Sequence, residues 1–169
     1  MQNQLEIHQC DTIKNEINSL SELLLRVVED GASIGFLPGI TLDEAHEYWK
    51  SVLNPDVFLF IARVDHHLAG SIQLHLCTKP NGLHRVEIAK LMTHPDYRRQ
   101  GVAKHLMKKA EEQAQALNKS LIVLDTREGD PSNLLYTSMN YQQAGKIPGY
   151  AQSASGELHA TVFYYKELR

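Results

Sequence analysis

Apolar residues recur every three or four positions in three segments, which is the spacing of a helix with one buried face. The first segment covers 12–28, where Asp11 is available as the N-cap. The second begins at Thr41, which has the spacing of a capping box with Glu44. The third covers 102–117. These patterns predict three amphipathic helices.

Strand patterns account for most of the remaining chain. Residues 57–64 are apolar on both faces, which is typical of a covered central strand. Residues 68–77 follow a polar turn and alternate apolar with polar side chains, so the two segments predict an antiparallel hairpin. Further strands are predicted at 86–93, 121–126, 141–147 and 158–166, with a short helix near 132–138.

The predicted order of elements is two helices, three strands, a helix, a strand, a helix and two strands. This order fits an α/β (α+β) architecture in which a mixed sheet carries helices on its faces. No low-complexity linker and no internal repeat divides the 169 residues. We therefore predict one domain over 1–169.

Bulk composition argues against several classes of protein. Hydrophobic residues make up 43% and charged residues 22% of the chain, which is a globular mixture. A formal net charge of −3 argues against a nucleic-acid partner, which favours a basic excess. No apolar run is long enough to span a bilayer, and the N-terminus lacks the basic and apolar regions of a signal peptide. Cys10 and Cys77 are expected to be free thiols. We expect a cytoplasmic protein without a membrane partner, as a monomer or a homodimer.

The segment HPDYRRQGVAKHLMKKAEEQ, residues 94–113, changes from polar to helical at Gly101, shortly after a predicted strand. The first turn of a helix leaves backbone N–H groups unpaired and carries the positive end of the helix dipole. A glycine at that point removes a Cβ that would obstruct a ligand, so the junction suits a pyrophosphate. A solvated basic loop that ends in an ordinary glycine cap explains the same residues, and the junction alone does not decide between the two.

The residues RRQGVA, Arg98 to Ala103, resemble the Q/R-x-x-G-x-G/A signature of the GNAT superfamily of N-acetyltransferases. Residues 86–93 are similar to that family's fourth strand. Leu135-Tyr136 with Asn140-Tyr141 resembles its Leu-Tyr-x-x-x-Gly-Phe segment, with asparagine in place of glycine and tyrosine in place of phenylalanine. The resemblance implies the GNAT acyl-CoA N-acyltransferase fold, a mixed and mostly antiparallel sheet flanked by helices. It also implies acetyl-CoA as cosubstrate.

A narrower resemblance covers most of the chain. The stretches that carry it are GASIGF, QLHLCTKPNGLHRVEIAKLM, LDT, IPGY and LHATVFYYK. They are similar to the tabtoxin-resistance acetyltransferases, which acetylate the amino group of a toxic β-lactam amino acid. The resemblance implies a single N-acetyltransferase domain over 1–169 with a role in antibiotic or toxin resistance.

The GNAT resemblance implies that acetyl-CoA is bound at the strand-to-helix junction and on the strand before it. The implied residues are Leu91, Met92, Thr93, Arg98, Arg99, Gln100, Gly101, Val102, Ala103, Lys104 and Asn133. By the same analogy, the backbone N–H of Met92 donates to the acetyl carbonyl. The family's asparagine, seven residues before the tyrosine, corresponds to Gly129 here, so Asn133 does not occupy the matching position.

Acetyl transfer to an amine requires a base, because an alkyl amine with a pKa of about 10.4 is only about one part in a thousand neutral at pH 7. Glu87 and Asp125 are the candidates, on two apolar strands that the family places side by side. Charged residues are uncommon in buried strands without a partner or a function. A salt bridge with Arg85 or Lys90 is the structural alternative.

Tyr136 matches the family's tyrosine that acts as general acid toward the CoA thiolate. A phenol can protonate a thiolate or orient the sulfur, and a core aromatic on a short helix is the alternative. Nine histidines occur, but none has the spacing of metal ligands such as HExxH, so we predict no metal site.

The acceptor is expected to be a small molecule with a primary amine, such as an amino acid or a toxin. Glu29 and Asp30 supply negative charge for a cationic amine. Arg85 could answer a substrate carboxylate with two hydrogen bonds, and Tyr150 could cover the molecule from the predicted loop 148–157. Two alternatives remain open: acetylation of a protein lysine or N-terminus, and a CoA-binding sensor without turnover.

Overall fold

A computed structural model describes residues 3–169, which form seven β-strands and four α-helices. A 3-10 turn at Pro95–Tyr97 lies between β4 and α3. In chain order the elements are β1 (Leu5–Gln9), α1 (Ile17–Glu29), α2 (Leu42–Lys50), β2 (Val57–Val64), β3 (His67–Leu76), β4 (Arg85–Thr93), α3 (Val102–Ala116), β5 (Leu121–Arg127), α4 (Ser132–Ser138), β6 (Gln142–Gln152) and β7 (Leu158–Glu167).

All seven strands belong to one sheet with the order β1-β2-β3-β4-β5-β7-β6. Every neighbouring pair is antiparallel except β4 and β5, which are parallel and are joined by the crossover through α3. The predicted mixed, mostly antiparallel sheet with flanking helices is therefore confirmed.

Alternation along the strands gives each face of the sheet its own core. Phe60, Leu74 and Ile122 belong to the larger cluster, which includes the buried side chains of α3. Leu59 and Ile61 face the other way and pack with α1 and α2. Four polar side chains also lie on the α1/α2 face, as the strand register shows; they are Gln73, His75, Glu87 and Asp125. None of the helices within residues 3–169 is long and apolar enough to cross a membrane.

The N-terminal part of the fold differs from the prediction in two places. The edge strand β1 was not predicted, because its five residues offer little pattern of their own and form a strand through pairing with β2. The first helix begins at Ile17 and not at 12, and its N-cap is Glu16 without a side-chain hydrogen bond, so the prediction of Asp11 as N-cap was wrong. The capping box of α2 is confirmed. Thr41 Oγ1 accepts from the backbone N–H of Glu44, and the Glu44 carboxylate accepts from the backbone N–H of Thr41 at 2.7 Å.

The C-terminal hairpin is longer than predicted. Strand β6 continues to Gln152, so only 153–157 form the turn and the predicted loop 148–157 was wrong over its first five residues. The register with β7 is irregular between Ile147 and Ala151, which are paired with Thr161 and His159. Pro148 fits in this irregular stretch, because it cannot donate to a regular ladder.

The two departures from the GNAT pattern near α4 have physical explanations. Asn140 has a φ of 68°, in the left-handed region that asparagine tolerates better than most residues other than glycine. The added hydroxyl of Tyr141 donates to Glu111 at 3.1 Å, and Lys166 also donates to that carboxylate, at 2.9 Å. Both substitutions are therefore compatible with the fold.

Candidate active site

The parallel strands β4 and β5 separate after only three paired residues. Their register begins at Arg85 with Leu121 and ends at Glu87 with Val123, although the strands continue to Thr93 and Arg127. Beyond the last pair, the facing edges of the two strands do not bond to each other. The backbone N–H and C=O groups on these edges require other hydrogen-bond partners. The gap between β4 and β5 can therefore accept a ligand that bonds to the strand backbone.

The loop from β4 to α3 has the geometry of an anion site. Arg99 and Gly101 both have left-handed backbone conformations, with φ of 60° and 81°. Gly101 is the N-cap of α3 and forms no side-chain capping bond, so no side chain caps the start of this 15-residue helix. A Cβ at Gly101 would lie 3.3 Å from His105 Nδ1, within the space beside the junction. These residues fit a pyrophosphate held by backbone N–H groups.

Most of the predicted cofactor residues lie together at this junction. Arg98 to Gly101 and Lys104 are exposed, Ala103 is half-buried and Val102 is buried. At the end of β4, Leu91 and Thr93 are half-buried. The side chain of Met92 belongs to the core under α1 and α2, so only its backbone is available to a ligand.

Asn133 is held within the protein by its side chain. Its Nδ2 donates to the backbone carbonyls of Arg127 and Asp130, each at 2.9 Å, and its Oδ1 accepts from the Tyr164 hydroxyl at 2.7 Å. Both amide hydrogens are therefore used in tying α4 to the end of β5, and the amide oxygen links α4 to β7. The cofactor role assigned to Asn133 stays a prediction.

Glu87 and Asp125 lie on either side of the gap, on the same face of the sheet, and both are exposed. Partial desolvation raises the pKa of the Glu87 carboxyl, the charge of Asp125 raises it further, and the Lys90 ammonium lowers it. Desolvation also raises the pKa of Asp125, again opposed by Lys90. A carboxylate with a raised pKa is a stronger base while it remains ionised at neutral pH. We refer to these two residues as the acidic pair.

Tyr136 is buried on α4 behind the gap. Its ring packs edge-on against Tyr164, with centroids 5.7 Å apart. Burial and then the negative charge of Asp125 raise the pKa of the Tyr136 phenol far above its usual range. The hydroxyl therefore stays protonated at physiological pH and is available as a donor.

A cleft of about 480 Å³ lies between the α1–α2 loop and the β6–β7 hairpin. Arg127, two residues beyond Asp125, is the only charged side chain within residues 3–169 that lines it. The guanidinium is held in place, because Nε donates to Asp130 at 2.9 Å and Nη2 donates to the Gly31 carbonyl at 3.0 Å. Apolar side chains such as Phe36 complete the inner wall.

Comparison with known proteins identifies the family. The sequence model of the acetyltransferase (GNAT) family matches residues 36–141, well over half of the chain. The chain belongs to this family. It is 29% identical over 126 residues to an uncharacterized N-acetyltransferase from the hisH-hisA intergenic region of Azospirillum brasilense, covering 72% of this chain and 75% of that protein.

Solved structures share the fold at low sequence identity. An N-acetyltransferase from Staphylococcus aureus Mu50 has a TM-score of 0.84 at 14% identity, over 98% of this chain and 99% of that one. The yncA acetyltransferase from Salmonella typhimurium, solved with its cofactor acetyl-CoA, has a TM-score of 0.81 at 14% identity, over 98% and 94% of the two chains. The GNAT protein described here is thus an acetyl-CoA-dependent N-acetyltransferase. The narrower resemblance to the tabtoxin-resistance enzymes stays a prediction.

The four predicted acceptor residues of this GNAT enzyme lie in different places. Asp30 forms an ion pair with Arg98, which places it beside the cofactor junction. Glu29 is exposed at the end of α1 without an ion pair to any residue in 3–169. Arg85 donates to Cys77 Sγ at 3.4 Å and does not contact Glu87. Tyr150 is 53% exposed, and its ring packs on Phe163, which is paired with Asp125.

Sequence reasoning missed a polar chain on the covered face of the GNAT sheet. His75, directly opposite Glu87, donates from Nε2 to Gln73 Oε1 at 2.9 Å, and Gln73 donates to the Tyr48 hydroxyl at 2.9 Å. Burial and the nearby Lys90 charge lower the pKa of His75, which favours the neutral ring. The alternation of Gln73 and His75 along β3 was the available signal, since it places polar side chains beneath α1 and α2. No cluster of three or more His, Cys, Asp or Glu within residues 3–169 could hold a metal ion.

Proposed function

We propose that this acetyltransferase transfers acetyl from acetyl-CoA directly to the primary amine of a small molecule, such as an amino acid or a related toxin or antibiotic. The observation that carries the proposal is the position of the acidic pair. Glu87 and Asp125 flank the gap between β4 and β5, and Arg127, two residues beyond Asp125 on β5, lines a cleft of about 480 Å³. A base near a cleft of this small volume suits a compact amine better than a long peptide.

Acetyl-CoA supplies the acetyl group as an activated thioester. The exposed loop from Arg98 to Gly101, with the uncapped start of α3, would hold the pyrophosphate through backbone N–H groups. Arg98 and Arg99 add positive charge there, and Arg98 is oriented by Asp30. The backbone of Met92, on the edge of the gap, would donate to the acetyl carbonyl.

The acidic pair would take the proton from the incoming amine, directly or through one water. Its raised pKa values favour this role, because a stronger base removes the proton of a cationic amine more readily. The same negative charge would attract the ammonium form of the acceptor. We assign the base to the pair and not to one member, because both carboxyls flank the gap and the charge of Asp125 raises the pKa of Glu87.

Tyr136 would act as the donor toward the sulfur that carries the departing negative charge. Its pKa lies well above that of an ordinary thiol, which is about 8.5. Because of that difference, the buried phenol stabilises a thiolate chiefly by donating a hydrogen bond. Full proton transfer to the sulfur would leave a buried phenolate, which is unfavourable.

The cleft favours an acceptor that carries a carboxylate as well as an amine. The bonds to Asp130 and Gly31 use two of the five N–H groups of Arg127, so both N–H groups of Nη1 remain for a ligand. Arg85 and the exposed Tyr150 are further candidates for contact with the acceptor. With acetyl-CoA as cosubstrate and both cysteines free, we place the reaction in the cytoplasm and propose resistance to an amino-acid-like toxin as its role.

A thiol-release assay tests the proposal. Acetyl-CoA is supplied with amino acids, β-lactam amino acids, polyamines or aminoglycosides, and in parallel with lysine peptides and peptides with a free N-terminus. A variant that carries both Glu87→Gln and Asp125→Asn sets the background rate. We expect release above background with at least one small amine. Efficient transfer only to the peptides would contradict the proposal, and tight acetyl-CoA binding without transfer to any amine would indicate a sensor.

A further inference from the structure

Lys90 lies in an unusual backbone conformation in the middle of β4. It has a φ of 55°, in the left-handed region, which is costly for a residue with a Cβ. The register explains the position: Gln73 is paired with Ala89 and Ser71 with Met92, so two residues of β4 stand opposite Ile72. Such a bulge aims a side chain in a new direction, and its strain persists only where the surroundings hold it.

The contacts of the Lys90 ammonium explain what holds it. Nζ donates to the backbone carbonyl of Ile34 and lies 5.5 Å from the centre of the Phe36 ring. A Cβ on Gly35, which has a φ of 90°, would lie 2.9 Å from the same Nζ and would displace the ammonium. Three consecutive residues of the α1–α2 loop therefore surround one ammonium. Gly35 and Phe36 also line the cleft.

The same ammonium stands among the titratable groups of the site. It lowers the pKa of Glu87, Asp125 and His75, and both carboxylates raise the pKa of Lys90 against the effect of burial. From α4, Tyr136 adds a neutral phenol beside Asp125. On β5, the Arg127 guanidinium lies two residues beyond Asp125 and donates to Gly31 of the same loop. The loop residues 33–36 carry no titratable side chain, and α2 contributes the neutral Tyr48 hydroxyl, bonded to Gln73.

We propose that Lys90 is a positioning residue for acetyl transfer: its ammonium holds the loop 31–39 beside the acidic pair and keeps that pair ionised. The inference rests on the proposed role of Glu87 and Asp125 as the base. Two neighbouring carboxylates repel each other, so one of them tends to take up a proton and lose its basicity. The positive charge of the nearby Lys90 ammonium offsets that repulsion. Because the same ammonium bonds to Ile34, one side chain contributes both to the charge of the base and, together with the Arg127 bond to Gly31, to the wall of the cleft.

The test compares Lys90→Met, Lys90→Arg and the control Lys50→Met, which removes an exposed lysine paired with Glu47 on α2. Methionine keeps a linear side chain at the strained φ, so the ammonium is the main group lost. The side-chain carboxyl carbons of Glu87 and Asp125 are titrated by NMR, with assignments from Glu87→Gln and Asp125→Asn. Hydrogen–deuterium exchange is measured over the loop 31–39. Neither readout needs an acceptor.

In Lys90→Met we expect the carboxyl titration midpoints to rise by about one pH unit, as when one nearby opposite charge is removed. Exchange at residues 34–36 should rise about tenfold, because a charged hydrogen bond to the loop is lost. Lys90→Arg should keep the carboxyl midpoints close to those of the unaltered enzyme, since it keeps the charge. Lys50→Met should change neither readout.

A folded Lys90→Met protein in which either the carboxyl midpoints or the loop exchange is unchanged overturns the proposal. If thermal unfolding shows that Lys90→Met is not folded, the same two readouts and the same criterion apply to Lys90→Gln. With an amine that the enzyme acetylates, the acid limb of kcat/KM should move to higher pH by the same amount as the NMR midpoints. If no amine is acetylated, that result contradicts the proposed function alone, because the carboxyl titration and the hydrogen exchange are measured without acetyl transfer.

Discussion

Glu87 on β4 is paired with Val123 on β5, and beyond this pair the two strands do not bond to each other. The side chain of Glu87 therefore stands where the gap begins, and Asp125 stands two residues further along the other strand. Both project from the face covered by α1 and α2. A cosubstrate that enters the gap from one side would meet an acceptor that reaches the acidic pair from the other.

Neutral isosteres of the acidic pair should slow the chemical step. Glu87→Gln and Asp125→Asn are each expected to lower kcat by about ten- to a hundredfold or more, the range for a lost general base. Affinity for CoA, measured by calorimetry, should change little, because neither residue lies at the pyrophosphate junction. Glu47→Gln on the exposed surface of α2 is the matched control. Full activity of both variants at pH 7 would remove the pair from the mechanism.

Asp125→Asn should also make the protein more stable. A carboxyl whose pKa is raised by folding is ionised at neutral pH at a cost to the folded state, and an amide avoids that cost. The gain should be present above the raised folded pKa and vanish below the unfolded value of about 3.9, where both states are protonated. We expect an increase in Tm of about 1 to 3 °C at pH 8 and none at pH 3. A lower Tm at pH 8 would contradict this account.

Gly101→Val should weaken acetyl-CoA binding. The left-handed φ of 81° is unfavourable for valine by about 1–2 kcal/mol, and the new side chain occupies space beside the helix start. Gly156→Val, at a φ of 87° in the β6–β7 turn, imposes similar backbone strain far from the junction. Calorimetry should show a large loss of CoA affinity for the first variant only. Equal affinity in a folded Gly101→Val protein would show that the junction does not hold the pyrophosphate.

Tyr136→Phe should lower kcat more than it lowers CoA affinity, because the ring is kept and only the donor is lost. A loss of about ten- to a hundredfold in kcat would match a missing donor to developing charge. Tyr165→Phe, which removes a hydroxyl bonded to Gln142 on the edge strand, is the control. If the two variants have comparable kcat, Tyr136 serves packing alone.

Arg127 and Arg85 are the two candidates for binding a carboxylate of the acceptor. Comparing L-lysine with cadaverine, which lacks the carboxylate, distinguishes between them. Arg127→Met should raise KM for L-lysine about ten- to a hundredfold, the effect of losing a charge-assisted hydrogen bond, and leave cadaverine unchanged. Arg85→Met should raise the KM for L-lysine less than Arg127→Met does, since Arg85 bonds to Cys77 and does not line the cleft. The reverse result would make Arg85 the carboxylate partner. If Arg127→Met raises KM equally for L-lysine and cadaverine, Arg127 has a structural role only.

Local patterns in the sequence predicted those parts of the molecule that depend on neighbours along the chain. The capping box of Thr41 and Glu44 and the hairpin of β2 and β3 are of this kind. The junction at Gly101 is another, because a strand end, a glycine and a helix start within a few residues determine its geometry. The acidic pair could also be named, because a charged residue in an otherwise apolar strand is unusual.

Tertiary structure decided what depends on residues far apart in sequence. Strand β1 exists through pairing with β2, and β6 extends past Pro148 because β7 offers partners beyond the bulge. The sequence suggested Lys90 only as a salt-bridge partner for the carboxylates, and the bulge brings its ammonium to the loop at Ile34. Alternation predicts which face of a regular strand a side chain occupies, but not the distant groups it meets there or how a bulge redirects it. For that reason the sequence by itself determined the fold family and indicated Glu87 and Asp125 as candidates for the base. Tertiary packing determined the neighbouring groups that set the pKa values of these two carboxyls.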